Sequence, residues 1–103
     1  MKGNNLETFW ERRDRLKIMA EIMEVAKGSK LKTRIMYMVN LSFRQVNEYL
    51  SFLTEMGFLS VRVDNRRKVY ETTAKGKSFI ENYMDMAKLL NSEELVRVPI
   101  LAK

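Results

Sequence analysis

At Gly57 the hydrophobic pattern of this chain changes from a helical period to a strand period, and this change constrains the fold more than any other feature. Before Gly57, apolar side chains recur three and four residues apart between Val46 and Leu53, which is typical of an amphipathic helix. After it, apolar and polar side chains alternate from Leu59 to Val63, which is typical of a β-strand. The pattern therefore predicts helices followed by a strand pair, in a mainly helical α+β fold.

Two helices are predicted upstream of that region. The first begins at Thr8 or Asp14, which both suit a helix cap, and ends at Lys27-Gly28, a cation followed by glycine. The second extends from Leu31 to Val39, with Ser29 as its cap. Each helix carries apolar residues at helical spacing on one side.

The third helix and the strand pair follow a tight break. Ser42 and Gln45 have the spacing of a capping box, so the third helix begins there and ends at Gly57, where a C-terminal glycine belongs. Residues 64–67 form a polar turn, and Lys68 to Thr72 is the return strand of a β-hairpin.

The order of elements predicts the organisation of the chain. The second and third helices form a helix-turn-helix, and the hairpin after them is the wing of a winged-helix domain. In that arrangement the third helix enters the major groove of DNA. We expect an N-terminal extension at residues 1–13, a winged-helix DNA-binding domain at 14–72, a dimerisation helix capped by Thr73 at 73–91, and a C-terminal tail at 92–103.

The amino-acid composition reduces the number of functions that are plausible for this chain. The net charge is +6, and the chain has neither histidine nor cysteine. Without them the usual nucleophile–base pairs and zinc–thiolate sites cannot form, so we expect no enzyme activity, no metal and no cofactor. The longest apolar run, Ile35 to Val39, is too short to span a membrane, and we expect no secretory signal. We expect a cytoplasmic protein with a polyanionic partner and no small-molecule substrate.

Basic and polar side chains fall on the elements expected to face DNA. They are Lys32, Arg34, Ser42, Arg44, Gln45, Asn47, Arg62, Arg66, Arg67 and Lys68. The outer face of the third helix also carries Glu48 and Glu55, which would meet phosphates unfavourably if the helix lay deep in the groove. We therefore expect only its N-terminal end to reach DNA, with backbone contacts dominating and low sequence specificity.

Apolar and aromatic side chains suggest two further roles. The stripe on the last helix is predicted to pair with its copy in a homodimer, as a short coiled coil, or else to fold back on the first helix. Its members are Phe79, Ile80, Tyr83, Met84, Ala87 and Leu90. Tyr49 and Phe43 are expected in the core, with stacking on unpaired bases as the alternative. Phe9 and Trp10 are interpreted as an anchor on the domain or on a partner subunit.

Two groups of residues resemble a known family. Lys32-Thr33-Arg34-Ile35-Met36-Tyr37, followed by Asn40-Leu41-Ser42, is similar to a signature of small archaeal winged-helix proteins of the Sulfolobus 10a type. Tyr70, Thr73 and Gly76 match that family's strand-to-helix junction. The resemblance covers about residues 15–90. The last helix is shorter than the family's long version, and the segment from Asn4 to Arg13 has no match in it.

The resemblance implies both an activity and an assembly. It implies an abundant protein that binds double-stranded DNA with little sequence preference, dimerises through an antiparallel coiled coil of its last helix, and organises archaeal chromatin in the nucleoid. It also implies DNA contacts by the first turn of the third helix, by Lys32 and Arg34, and by the wing.

We therefore predict a dimeric, architectural DNA-binding protein of low specificity. A site-specific winged-helix transcriptional regulator is the first alternative, because it would use the same fold. A winged-helix protein-interaction adaptor and a single-strand or RNA binder are the others.

Overall fold

The computed structural model of the protein describes residues 15–90, without the side chain of Leu90. Its helices are α1 at residues 15–25, α2 at Lys32–Val39, α3 at Phe43–Glu55 and α4 at Ala74–Leu90. Its strands are β1 at Lys30–Leu31, β2 at Leu59–Asp64 and β3 at Arg67–Thr72, and a 3-10 turn at Ala26–Gly28 follows α1. The predicted fold class and the predicted order of helices and hairpin are confirmed. The predicted extension at 1–13 and tail at 92–103 lie outside the described residues, as do Asp14 and Asn91.

The break between α2 and α3 is made by one left-handed residue. Asn40 has φ 61°, a conformation that asparagine tolerates better than most residues. The amide of Leu41 then donates to the carbonyl of Met36 at 2.9 Å, which satisfies a carbonyl left free at the helix end. The turn is tight, so only three residues separate the end of α2 from the start of α3.

Local side-chain and backbone chemistry fixes both ends of α3. Ser42 Oγ accepts a hydrogen bond from the Gln45 amide at 3.1 Å, and Gln45 Oε1 accepts one from the Ser42 amide at 3.0 Å. This is the predicted capping box. At the other end Gly57 has φ 82°, and the Phe58 amide donates to the Leu53 carbonyl at 2.9 Å. The predicted glycine stop is therefore confirmed.

The sheet contains a short strand that the sequence pattern did not predict. Strand order is β1-β3-β2, and β1 pairs antiparallel with β3 through Lys30 opposite Tyr70. The predicted cap at Ser29 is wrong, because its hydroxyl donates instead to Glu71 Oε1 at 2.9 Å. Helix α2 consequently begins at Lys32 without a side-chain cap. Two residues are too few to show alternation, so only the pairing with β3 defines this strand.

The hairpin closes through a two-residue turn at Asn65 and Arg66. Asp64 lies opposite Arg67 in the β2–β3 register, and the two turn residues have φ 57° and 68°. Left-handed conformation at both positions matches the twist of a tight hairpin, and an Asn-Gly pair is the usual sequence. Here arginine occupies the position at which glycine is preferred.

A single core joins the helices to the base of the sheet. Its largest fully buried side chains are Ile22, Met23, Ile35, Val46, Leu50 and Leu53. Thr72, at the end of β3, is buried as well and donates its hydroxyl hydrogen to the carbonyl of Met23. This bond ties the return strand of the hairpin to α1, so the wing has a fixed base. No helix among the described residues combines the length and apolarity needed to cross a membrane.

The start of α4 lies unusually close to the backbone at Phe58. Thr73 Oγ1 lies 2.6 Å from the Gly57 carbonyl oxygen and 3.1 Å from that of Phe58, and it accepts from the Gly76 amide at 3.1 Å. A Cβ at Gly76 would lie only 2.4 Å from the Phe58 oxygen and 2.6 Å from Thr72 Cγ2. We refer to this contact as the Phe58 junction. Only glycine fits there without a shift of backbone.

Substitution of Gly76 tests the Phe58 junction. Gly76→Ala is expected to lower the free energy of unfolding by about 1–3 kcal/mol, because the added methyl group overpacks against backbone. Gly28→Ala is the control, because its Cβ would meet only the Nζ atom of Lys30, at 3.2 Å. That variant is expected to stay within about 0.5 kcal/mol of the parent. Equal losses at the two positions, measured by denaturant unfolding, would contradict the junction.

Candidate nucleic-acid interface

Three elements border one open groove on the surface. Side chains of α2, α3 and the hairpin line a groove of about 770 Å³ between α3 and the β2–β3 pair. Polar lining residues include Lys32, Asn47, Ser51 and Lys68. Tyr70 forms part of the floor, and burial raises the pKa of its hydroxyl above the usual value, so this group stays protonated at neutral pH. We call this feature the α3–wing groove.

The hairpin projects beyond the core and carries cations at its end. Beyond Leu59, every residue of β2 is exposed, and Val63 retains 70% of its accessible surface. Arg66, Arg67 and Lys68 have no ion-pair partner within residues 15–90. Three adjacent unpaired cations on a projecting hairpin form a surface suited to a polyanion.

Arg66, in the turn of the hairpin, adopts a backbone conformation that is unfavourable for arginine. Its φ of 68° is a left-handed conformation that costs an L-residue roughly 1–2 kcal/mol. Glycine would relieve that strain, yet a cation occupies the position. Strained residues of this kind concentrate at functional sites.

Arg62 lies apart from the cations at the end of the hairpin. In the register, Arg62 is opposite Val69, whereas Lys68 is opposite Val63, so Arg62 and Lys68 project from opposite faces. Arg62 Nη1 lies 3.2 Å from Glu71 Oε1, the same oxygen that accepts from Ser29. Its charge is therefore already paired, unlike those of the neighbouring cations.

The first turn of α3 contains three of the predicted DNA-contact residues, and their side chains differ in the partners they already have. The side-chain oxygens of Ser42 and Gln45 are engaged in the capping box. Arg44 Nε lies 3.3 Å from Glu48 Oε2, and 88% of the Arg44 side chain is exposed. Such an exposed pair contributes little, typically below about 1 kcal/mol, so a phosphate can replace Glu48 as the partner of Arg44.

The first turn of α2 carries two cations and no acid. Lys32 and Arg34 both lie near the positive end of the helix dipole, which disfavours positive charge there by about 0.3–1 kcal/mol. Lys32 Nζ donates to Asn47 Oδ1 at 2.9 Å and lies 4.7 Å from the centre of the Phe43 ring. Arg34 is exposed and has no ion pair within the described residues.

The aromatic residues of α3 are more exposed than the sequence predicts. Phe43 retains 61% of its accessible surface, so its predicted place in the core is wrong. It occupies the first position of α3, where the Lys32 ammonium group covers its ring. Tyr49 is half-buried and packs against the core.

Most of the predicted dimerisation stripe on α4 packs into or against the core of a single chain. Ile80, Tyr83 and Ala87 belong to the buried core cluster that also includes residues of α1, so these three side chains are covered within a single chain. Phe79 packs on Phe58 with ring centres 5.2 Å apart. Met84 is half-buried against the core, and the Leu90 side chain lies outside the description. Leu89, absent from the predicted stripe, is 86% exposed.

Comparison with known protein families agrees with this architecture. A family model described as winged helix-turn-helix matches residues 12–91. The chain belongs to the winged helix-turn-helix family. It is 32% identical over 83 residues to an uncharacterised protein of Methanocaldococcus jannaschii, a match that covers 80% of this chain and 81% of that protein.

Solved structures with the same fold include DNA-binding proteins. Sso10a-2, a DNA-binding protein from Sulfolobus solfataricus, has a TM-score of 0.65 and 29% identity, over 77% of this chain and 86% of that one. This similarity confirms the resemblance predicted from the sequence. A probable transcriptional regulator from Pseudomonas aeruginosa shares the fold at a TM-score of 0.64 and 14% identity, over 91% and 81% of the chains. The family and the Sulfolobus protein indicate that this chain is not an enzyme, as predicted.

Arg66 provides a test that separates folding from binding. Arg66→Gly is expected to raise the free energy of unfolding by about 1 kcal/mol, because glycine relieves the left-handed strain. The same variant is expected to bind a DNA duplex more weakly, because one wing cation is lost. Arg66→Lys is the control, since it keeps both the charge and the strain. A glycine variant with unchanged duplex affinity would show that Arg66 has no part in binding.

Proposed function

We propose that this winged helix-turn-helix protein binds double-stranded DNA with low sequence specificity, as an architectural protein of the nucleoid. The observation that carries the proposal is the presence of cations without an ion pair, among the described residues, on α2 and on the wing, the two elements that flank α3. These cations are Arg34 on α2 and Arg66, Arg67 and Lys68 on the wing. Arg44, in the first turn of α3, has only an exposed pair with Glu48. A helix-turn-helix places its second helix in the major groove, which brings the two flanking elements to the phosphates.

Low specificity follows from how α3 presents its polar groups. Ser42 and Gln45 are engaged at the helix start, so their oxygens have other partners than base edges. Farther along, Glu48 and Glu55 are exposed, and they would lie against phosphates if α3 entered the groove along its length. The accessible contacts are thus mostly cations, which bind phosphates without reading sequence.

Similarity supports the same partner. Sso10a-2 is described as a DNA-binding protein, and its alignment with this chain includes most of both molecules. A basic net charge of +6 is consistent with a nucleic-acid ligand. We infer that the duplex occupies the face formed by α2, the start of α3 and the wing.

We also propose that the protein is a homodimer that uses α4. The exposed Leu89 and the half-buried Met86 lie on the same side of α4, three residues apart. A short antiparallel pairing of two α4 helices would cover them while leaving the core contacts of Ile80, Tyr83 and Ala87 intact. Two winged-helix domains in one particle would bind DNA with higher avidity than one.

Charge reversal on the wing tests DNA binding. Replacing Arg66, Arg67 and Lys68 together by Glu is expected to weaken binding to two unrelated duplexes by at least about 100-fold, because attraction to phosphates becomes repulsion. The control replaces Lys27, Lys77 and Lys88 by Glu, which makes the same change in net charge elsewhere. It is expected to weaken binding by less than about tenfold. Equal losses in both variants would show that only net charge matters and would contradict a wing contact.

The mass of the protein in solution tests the dimer. We expect twice the 12.2 kDa of one chain, measured by light scattering. Leu89→Glu is expected to shift the protein towards the single-chain mass, because a buried carboxylate would destabilise the pairing. Its exposed neighbour supplies the control, as Lys88→Glu should leave the mass unchanged. A parent protein with the mass of one chain would overturn the dimer proposal.

A further inference from the structure

The side chain of Lys32 is hydrogen-bonded to α3, the helix that would enter the major groove of DNA. Its ammonium nitrogen lies 2.9 Å from Asn47 Oδ1, although the two residues are 15 positions apart in the chain. The Phe43 ring lies on another side of the same nitrogen, 4.7 Å away. Both Lys32 and Asn47 are half-buried and line the α3–wing groove. The contact therefore connects the start of α2 to the middle of α3 at the rim of the candidate interface.

This contact fixes which end of the Asn47 amide faces outwards. A lysine ammonium group has three donors and no acceptor. The atom of Asn47 that faces it must therefore be the carbonyl oxygen, and the amide nitrogen is directed away from Lys32. An asparagine without such a neighbour can rotate its amide to present either atom to a ligand.

We propose that Lys32 is a positioning residue, which holds Asn47 as a hydrogen-bond donor towards DNA, rather than a phosphate contact itself. The inference rests on the proposed binding of duplex DNA. Asparagine reads adenine by accepting from N6 and donating to N7 at the same time. With its oxygen turned towards Lys32, Asn47 presents its amide nitrogen as a donor, and acceptors are present on phosphates and on guanine, adenine and thymine edges.

The position of Lys32 fits this role better than that of a free cation. It lies in the first turn of α2, where the helix dipole disfavours a positive charge. A hydrogen bond to Asn47 and the face of an aromatic ring offset that cost. Arg34, two residues on, has neither contact among those described and is exposed. The two cations of this turn are therefore expected to behave differently when DNA binds.

A double-mutant cycle tests the inference. Lys32→Met removes the donor but keeps the aliphatic stem, and Asn47→Ala removes the amide. Each single variant is expected to weaken duplex binding by about 2- to 10-fold, the worth of one hydrogen bond. The double variant is expected to bind no more than about twofold worse than Asn47→Ala, because Lys32 acts through Asn47. Denaturant unfolding of each variant identifies the conditions in which all are folded.

Salt dependence separates positioning from phosphate contact. Lys32→Met is expected to leave the slope of log affinity against log salt nearly unchanged. Arg34→Met is the matched control, expected to reduce the slope by about 0.9, the value of one phosphate contact, and to add fully to Asn47→Ala. An equal loss of slope at Lys32, with additive losses of affinity, would overturn the inference while leaving DNA binding intact. A parent protein that fails to bind duplex DNA would overturn both.

Discussion

The first turn of α4 lies against the backbone of Phe58, and the position of the wing depends on that close approach. Thr73 reaches the carbonyl oxygens of Gly57 and Phe58, and Gly76 leaves no room for a Cβ beside them. The end of α3, the start of β2 and the start of α4 consequently meet at one point. Because β3 is tied to α1 through Thr72, the hairpin is held at both strands where it leaves the core. A rigid base is what allows an exposed hairpin to carry charge at a defined distance from α3.

Much of this architecture could be predicted from the sequence, because it depends on interactions between residues that are close together in the chain. The capping box at Ser42, the glycine stop at Gly57 and the cap at Thr73 act over three or four residues. Strand β1 was missed because only its pairing with β3 defines it. The exposure of Phe43 and the engagement of Lys32 depend on how α2 and α3 pack together. Spacing along one helix contains no information about that packing.

Several residues at the candidate interface occupy positions that are energetically unfavourable for them. Arg66 occupies a left-handed turn position, and Lys32 and Arg34 lie at the positive end of a helix dipole. Each placement lowers stability slightly, and Lys32 lines the α3–wing groove. Arg62, whose charge is paired with Glu71, projects from the opposite face of the hairpin to Lys68. The cations without an ion pair on the wing, rather than the net charge, support the proposed contact with phosphates.

The salt dependence of binding to two unrelated duplexes of equal length tests the central claim most directly. Four or five phosphate contacts for each winged-helix domain predict a slope of log affinity against log salt near −4, with affinities for the two duplexes within a few-fold of each other. A preference of about 100-fold for one duplex, persisting as salt is raised, would contradict backbone-dominated binding. It would instead identify a site-specific regulator.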